Sequence, residues 1–249
     1  MKIALLSDIH GNSIALDAVL ADIHARGGVD GYWLLGDLVA LGPDPIGVLE
    51  RLMALPNARY VRGNTDRYVV STDRPPPTLA EVGANPSLLP ILVEVAGTFA
   101  WTQGAITVAG WLAWLKDLPL ELRLVLADGT RFLGVHAAPG YDDGLGISPG
   151  MSDEGIQASL QGCGADLVCV GHTHRPMNRY VGSWHVVNLG SVSNPPTTER
   201  RASYVLLQAS ESGYQLEHCL VEYDRAAVIS ALKQLKHPGT QFIIGHLRD

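Results

Sequence analysis

Seven residues of types that hold metal ions stand where apolar runs end: Asp8, His10, Asp37, Asn64, His136, His172 and His174. The run Ile3 to Leu6 reads as a buried strand and stops at Asp8 and His10. Two residues apart on an extended backbone, these side chains face one spot. Asp37 follows the apolar run Tyr32 to Leu35, Asn64 follows Tyr60-Val61, His136 follows Phe132 to Val135, and the two remaining histidines follow Leu167 to Val170. Ligands of open α/β sheets lie beyond the carboxyl ends of strands, which is where all seven would be delivered. Taken singly, each has a plainer reading, Asp8 as a helix cap and each histidine as a packed core residue. Taken together, four imidazoles, two carboxylates and an amide exceed what one six-coordinate ion accepts, and they suit two divalent ions sharing a carboxylate. A structural zinc site would be dominated by cysteine, and no cysteine stands at these strand exits.

The elements that must position these groups follow from periodicity. Ser13 to Arg26 carries Ile14, Leu16, Val19, Leu20 and Ile23 at helical spacing and stops at Gly27-Gly28. Gly31 to Leu35 and Ala58 to Val61 read as strands, separated by a helix that Pro45 opens. Strand, helix, strand, helix, strand predicts a parallel sheet with its polar exits at one end. From Tyr68 to Leu120 the pattern changes to prolines and three helical stretches, Leu88 to Val95, Phe99 to Ile106 and Val108 to Leu118, predicting a helical insertion over one end of the sheet. Beyond it, Asp128-Gly129 marks a hairpin between Leu120 to Ala127 and Arg131 to Val135. A short helix over Asp153 to Gln161, strands at Leu167 to Val170, Asn178 to Val181, Trp184 to Val187, Ser203 to Leu207 and Tyr214 to Val221, and a helix from Asp224 to Leu235 complete the reading. No element is predicted from His237 onward. The expected organisation is a single domain over residues 1–249 with the insertion at about 68–120.

Composition narrows the function classes. A formal net charge of −7 argues against tight binding to a nucleic-acid duplex, which needs clustered Lys and Arg. Three cysteines without a CxxC pair predict free buried thiols in a reduced, cytoplasmic setting. Asp8 and His10 interrupt the start of the chain too early for a secretory signal, and polar residues break Leu88 to Leu118, so neither a signal peptide nor a membrane span is expected.

The blocks Asp8-Ile9-His10-Gly11-Asn12, Gly36-Asp37, Gly63-Asn64, His136 and Gly171-His172-Thr173-His174 occur in the order found in calcineurin-like metallophosphoesterases, and over residues 1 to about 195 the chain resembles that family. The resemblance implies a four-layer αββα sandwich of two mixed β-sheets, an α/β fold. It implies that Asp8, His10 and His174 hold one ion, that Asn64, His136 and His172 hold a second, and that Asp37 bridges them, with Asp8, Asp37, Asn64 and His136 central to catalysis. The ions would be manganese, iron, zinc or nickel, and a bridging hydroxide would attack phosphorus in line. His172 and His174 should turn their other ring nitrogens toward carbonyls or carboxylates. Asn12 and Arg62 are the candidate substrate contacts.

One block departs from the family pattern: Gly63-Asn64-Thr65-Asp66 has Thr65 where many members carry a histidine that assists the leaving group. Small bacterial and archaeal members described as phosphodiesterases share that lack. The expected activity is hydrolysis of a small phosphorylated substrate with a good leaving group, most readily a phosphodiester or nucleotide-like compound. The competing readings are a protein serine/threonine phosphatase and a metal-binding scaffold without catalysis. Asp66 is expected to brace its loop; His185 is a candidate substitute for the missing leaving-group acid, with core packing beside Trp184 the favoured reading.

Overall fold

A computed structural model describes residues 1–196 and 198–247. Its elements run β1 (Lys2–Leu6), α1 (Ser13–Ala25), β2 (Gly31–Leu35), α2 (Pro45–Met53), β3 (Ala58–Val61), α3 (Asn64–Val70), α4 (Leu79–Ala84), α5 (Leu89–Val108), α6 (Leu112–Lys116), β4 (Glu121–Val125) and β5 (Arg131–Val135). They continue as α7 (Asp153–Leu160), β6 (Leu167–Val170), β7 (Met177–Val181), β8 (Trp184–Asn188), β9 (Ala202–Ser210), β10 (Gly213–Val221), α8 (Arg225–Gln234) and α9 (Thr240–Leu247). One sheet has the order β10-β9-β1-β2-β3 and the other β4-β5-β6-β8-β7. In the first, β1, β2 and β3 are parallel and β9 and β10 antiparallel; in the second, β5, β6 and β8 are parallel between antiparallel edges.

The layering follows from strand alternation. Ile3, Leu5, Trp33 and Leu35 point to one side and meet Phe132, Leu167, Cys169 and Val187 from the other sheet, forming the core between sheets. Ala4, Leu6 and Leu34 point to the opposite side and bury Leu16, Val19 and Ile23 of α1 with Val48 and Leu52 of α2. Val168, Val170 and Val186 turn away from the first sheet toward Ile156 and Leu160 of α7. These three cores make four layers, helix, sheet, sheet, helix, as the family resemblance implies. Burial on both faces is why the central strands are continuously apolar.

Two expectations change. The stretches Leu88 to Val95 and Phe99 to Ile106 are one helix, because Gly97 and Gly104 are accommodated within α5. By length and composition alone residues 86–108 could cross a membrane, yet the helix buries one stripe, Thr98, Phe99, Thr102 and Ile106, against the domain. The chain after His237 is also ordered, as α9. Its Ile243 and Ile244 pack with Val228 and Leu232 of α8, and the His237 ring sits edge-on to Trp101 of α5 at 4.6 Å between centroids. Phe242 N of α9 donates to Glu94 Oε1 of α5 at 3.2 Å, so the C-terminal helix closes over α5. The three cysteines are buried and unpaired, as expected.

Candidate metal centre

The parallel strands β1, β2, β5 and β6 end at the same edge, and the turns leaving them converge. Asp8 and His10 do not lie on extended backbone as predicted. β1 ends at Leu6, and Asp8 and His10 have φ of 57° and 51°, as do Asp37 at 55°, His172 at 66° and His174 at 57°. Five of the seven candidate ligands therefore occupy the left-handed region, a conformation costing of order 1 kcal/mol or more each for residues with a Cβ. Backbone bonds between the turns hold it: Asp8 N donates to Gly36 O at 3.0 Å, His10 N to Asp37 O at 2.9 Å and Gly171 N to His136 O at 2.9 Å. The approach is so close that a Cβ on Gly63 would lie 2.1 Å from Asp37 Oδ1, and one on Gly171 1.9 Å from Ser7 Oγ. Glycine is required at both places by crowding.

Asp8, His10, Asp37 and His174 place one ligand atom each within 4.8 Å of one another. His10 Nε2 is 3.1 Å from His174 Nε2 and 3.6 Å from Asp37 Oδ2, and His174 Nε2 is 3.1 Å from Asp8 Oδ1. Beside them, Asn64 Oδ1 is 3.0 Å from His136 Nε2 and 3.2 Å from His172 Nδ1, while Asp37 Oδ1 is 3.4 Å from His136 Nε2. Asp37 therefore turns one oxygen toward each group. All seven predicted residues come together.

The outward nitrogens are fixed from behind. His10 Nδ1 faces Ala40 O at 3.2 Å, His136 Nδ1 faces Leu35 O at 2.8 Å, and His174 Nδ1 faces Asn194 O at 2.8 Å. Donation to these carbonyls leaves Nε2 directed at the centre. His172 is reversed, with Nε2 on Gly144 O at 2.9 Å and Nδ1 inward. The predicted carbonyl partners of His172 and His174 are present.

Electrostatics fit a cation. Burial pushes Asp8 and Asp37 up, but the neighbouring imidazoles, His174 beside Asp8 and His136 beside Asp37, bring both carboxyls below their ordinary range. Burial drives His10 down to about 4, so it is neutral. Burial also opposes charge on His136 and His174, yet the facing carboxylates outweigh it: His136 rises to about 10, and His174 rises as well. Asp8 Oδ1 is buried and accepts no aligned hydrogen bond. A buried, anionic oxygen beside imidazole nitrogens is a donor set for a divalent ion, and the residues fit one.

The other predicted residues have visible tasks. Asn12 caps α1, accepting from Ala15 N at 3.0 Å, and donates to Ser193 Oγ at 3.0 Å. Arg62 Nε donates to Asp142 at 2.8 Å, in a cluster where Arg67 also bonds Asp142 and Asp143. Both predicted substrate contacts are thus engaged with the protein itself. Asp66 braces the loop as expected, accepting from Leu38 N at 2.9 Å and Gly63 N at 3.0 Å, while burial and the charge of Asp37 push its carboxyl up to about 7. His185 is buried between Tyr180 and Tyr214.

Sequence reasoning passed over Asn188. Fully buried at the end of β8, it donates to Gly171 O at 2.8 Å, Ile147 O at 2.9 Å and Thr173 Oγ1 at 3.0 Å, fixing the turn that carries His172 and His174. Its position after Val186-Val187 is the same strand-exit signal that marks the ligands.

Residues 1–212 match the calcineurin-like phosphoesterase superfamily domain. The chain belongs to that superfamily, and it is a metal-dependent phosphoesterase, a hydrolase of phosphate ester bonds. Over 238 residues it is 30% identical to the uncharacterized protein MJ0912 of Methanocaldococcus jannaschii, covering 89% of this chain and 88% of that one. A shorter stretch of 72 residues is 40% identical to the symmetrical bis(5'-nucleosyl)-tetraphosphatase of Pectobacterium carotovorum, 28% of this chain and 26% of that protein. The crystal structure of a metallophosphoesterase from Sphaerobacter thermophilus shares the fold with a TM-score of 0.73 at 24% identity, over 100% of this chain and 99% of that one.

Proposed function

We propose that this phosphoesterase works with two divalent ions on small phosphodiester or nucleotide-like substrates. The observation that carries the reading is Asp37, whose two carboxylate oxygens face different groups of ligands at 3.6 and 3.4 Å. Asp8, His10 and His174 would hold one ion and Asn64, His136 and His172 the other, with Asp37 common to both. Two such ions would supply Lewis acidity toward a phosphoryl oxygen and would lower the pKa of a water so that hydroxide is available near neutral pH.

The chain's own residues do the positioning. Carbonyls of Leu35, Ala40, Asn194 and Gly144 hold the four rings, so little reorganisation is needed on loading. Thr65 N donates to Asp37 Oδ1 at 2.9 Å and keeps that carboxylate turned between the groups. Thr65 offers no ionisable proton to a departing alkoxide, which favours substrates whose leaving group is stable as an anion. The local match to a bis(5'-nucleosyl)-tetraphosphatase supports a nucleotide-like substrate, and three buried free thiols support a cytoplasmic setting. Seven candidate ligands with oriented rings favour catalysis over a scaffold role.

The reading predicts that metal-reconstituted protein hydrolyses bis-p-nitrophenyl phosphate and that Asp37→Ala abolishes turnover while the protein stays folded by circular dichroism. Undiminished turnover in that variant would remove the shared-carboxylate assignment.

A further inference from the structure

Next to the metal cleft lies a second chamber of about 300 Å³, walled by Tyr68, Pro76, Ile91, Val95, Phe99 and Phe242. The cleft and the chamber share Leu41, Asn64, Thr65 and Phe242, so they are two lobes of one concavity. The insertion supplies one wall through α5. The C-terminal helix supplies another, held down by Phe242 N donating to Glu94 Oε1 at 3.2 Å.

We propose that this chamber receives an aryl group of the phosphoester substrate while the phosphoryl group sits among the ligands; the inference rests on the phosphoesterase reading above. The walls are chiefly apolar, with Glu94, Thr98, Asn64 and Thr65 at their margins, and Glu94 Oε1 is taken by Phe242 N. Tyr68 Oη donates to Asp143, and Asn64 Oδ1 faces His136 and His172. An aromatic ring seated there loses nothing polar and gains burial. A chamber of this volume is ample for one or two fused rings.

A second observation points the same way. Thr65 Oγ1, on a residue only 7% exposed where the two lobes join, has no hydrogen-bond partner in the protein. A substrate spanning both lobes places its ester oxygen at this junction, within the hydroxyl's reach. An aryl oxide also departs without a proton, in accord with threonine at this position.

The test is calorimetric binding of methylphosphonate and phenylphosphonate to the metal-loaded protein. Phenylphosphonate is expected to bind tighter by roughly tenfold or more, from burial of its ring. In Ile91→Asp, at a half-exposed wall position, and in Val95→Trp, which fills the chamber, that ratio should collapse to within about twofold. Equal affinities in the unaltered protein, or a ratio that survives both substitutions, would overturn the aryl assignment and leave the phosphoesterase reading standing. Failure of both phosphonates and of inorganic phosphate to bind would overturn the two together.

Discussion

His10 Nε2 and His174 Nε2 lie 3.1 Å apart with the opposite nitrogen of each ring turned to a backbone carbonyl. Two imidazoles so arranged cannot both present lone pairs at that distance unless a positive charge is shared between them. Without metal the charge is a proton. Burial drives His10 down to about 4, whereas on His174 the Asp8 carboxylate outweighs burial and holds a proton more firmly than on a free imidazole. Loading an ion must displace it, and another from His136, which titrates at about 10. Metal loading should therefore release protons at pH 7, and apparent affinity should climb as pH rises through the neutral range. Calorimetry in buffers of different ionisation enthalpy reads the proton count directly; a count of zero would contradict this electrostatic picture.

The same shifts set how the metal-free protein's stability varies with pH. His136 is raised in the folded state, so its contribution is complete below the ordinary histidine value of about 6.5 and is lost as pH rises through about 10. Asp37 is lowered, so its contribution is present above the ordinary carboxylate value of about 3.9 and is lost as pH falls toward its depressed folded value. Thermal melts of metal-free protein should fall between pH 7 and 10. Metal-loaded protein, whose imidazoles carry no removable proton at the centre, should show a smaller fall.

Crowding between turns makes glycine a requirement of function as well as of folding. In Gly63→Ala the new methyl would meet Asp37 N at 2.2 Å and its Oδ1 at 2.1 Å, so the carboxylate must move. A destabilisation of about 1–3 kcal/mol is expected from overpacking, with turnover lost beyond what unfolding explains. Melting temperature and turnover measured on the same sample check both halves.

Asp66 accepts two buried backbone N–H groups, from Leu38 and Gly63. Asp66→Asn can satisfy only one of them through its carbonyl, since the amide nitrogen would oppose the other. A loss of about 1–3 kcal/mol is the expected cost of the unpaired donor. Chemical denaturation of the two proteins measures it.

Thr65→Val removes the unpartnered hydroxyl at the junction of the two lobes at nearly constant volume. If that hydroxyl meets the substrate, kcat/KM should fall by about 2- to 10-fold, the worth of one ordinary hydrogen bond. Metal content should be unaltered. Unchanged kinetics would show that the hydroxyl does not meet the substrate.

Most of the ligands were legible because they follow β1, β2, β5 and β6, strands buried on both faces that read as short apolar runs, whereas Asn64 follows the edge strand β3, which carries an exposed Arg59. What could not be read was how Asp8 and His10 converge: the left-handed turns depend on bonds to Gly36 and Asp37, 28 and 27 residues away in a neighbouring strand's exit. Nor could the backs of the histidine rings be read, because Ala40, Leu35, Asn194 and Gly144 act through carbonyls that every residue possesses. Asn12, a candidate substrate contact by sequence, stands just before Ser13 and performs the task of a helix cap. The helix α9 was missed since its apolar residues have meaning only against α8 and the insertion, and Phe242, from that helix, forms part of the chamber beside the centre.

The central claim is that two ions share Asp37. Elemental analysis of metal-reconstituted protein tests it most directly, with unaltered protein and Asp37→Ala treated in parallel. The account predicts about two divalent ions per chain in the unaltered protein and a clear loss in the variant. One ion or none in the unaltered protein, or two retained without Asp37, would contradict it.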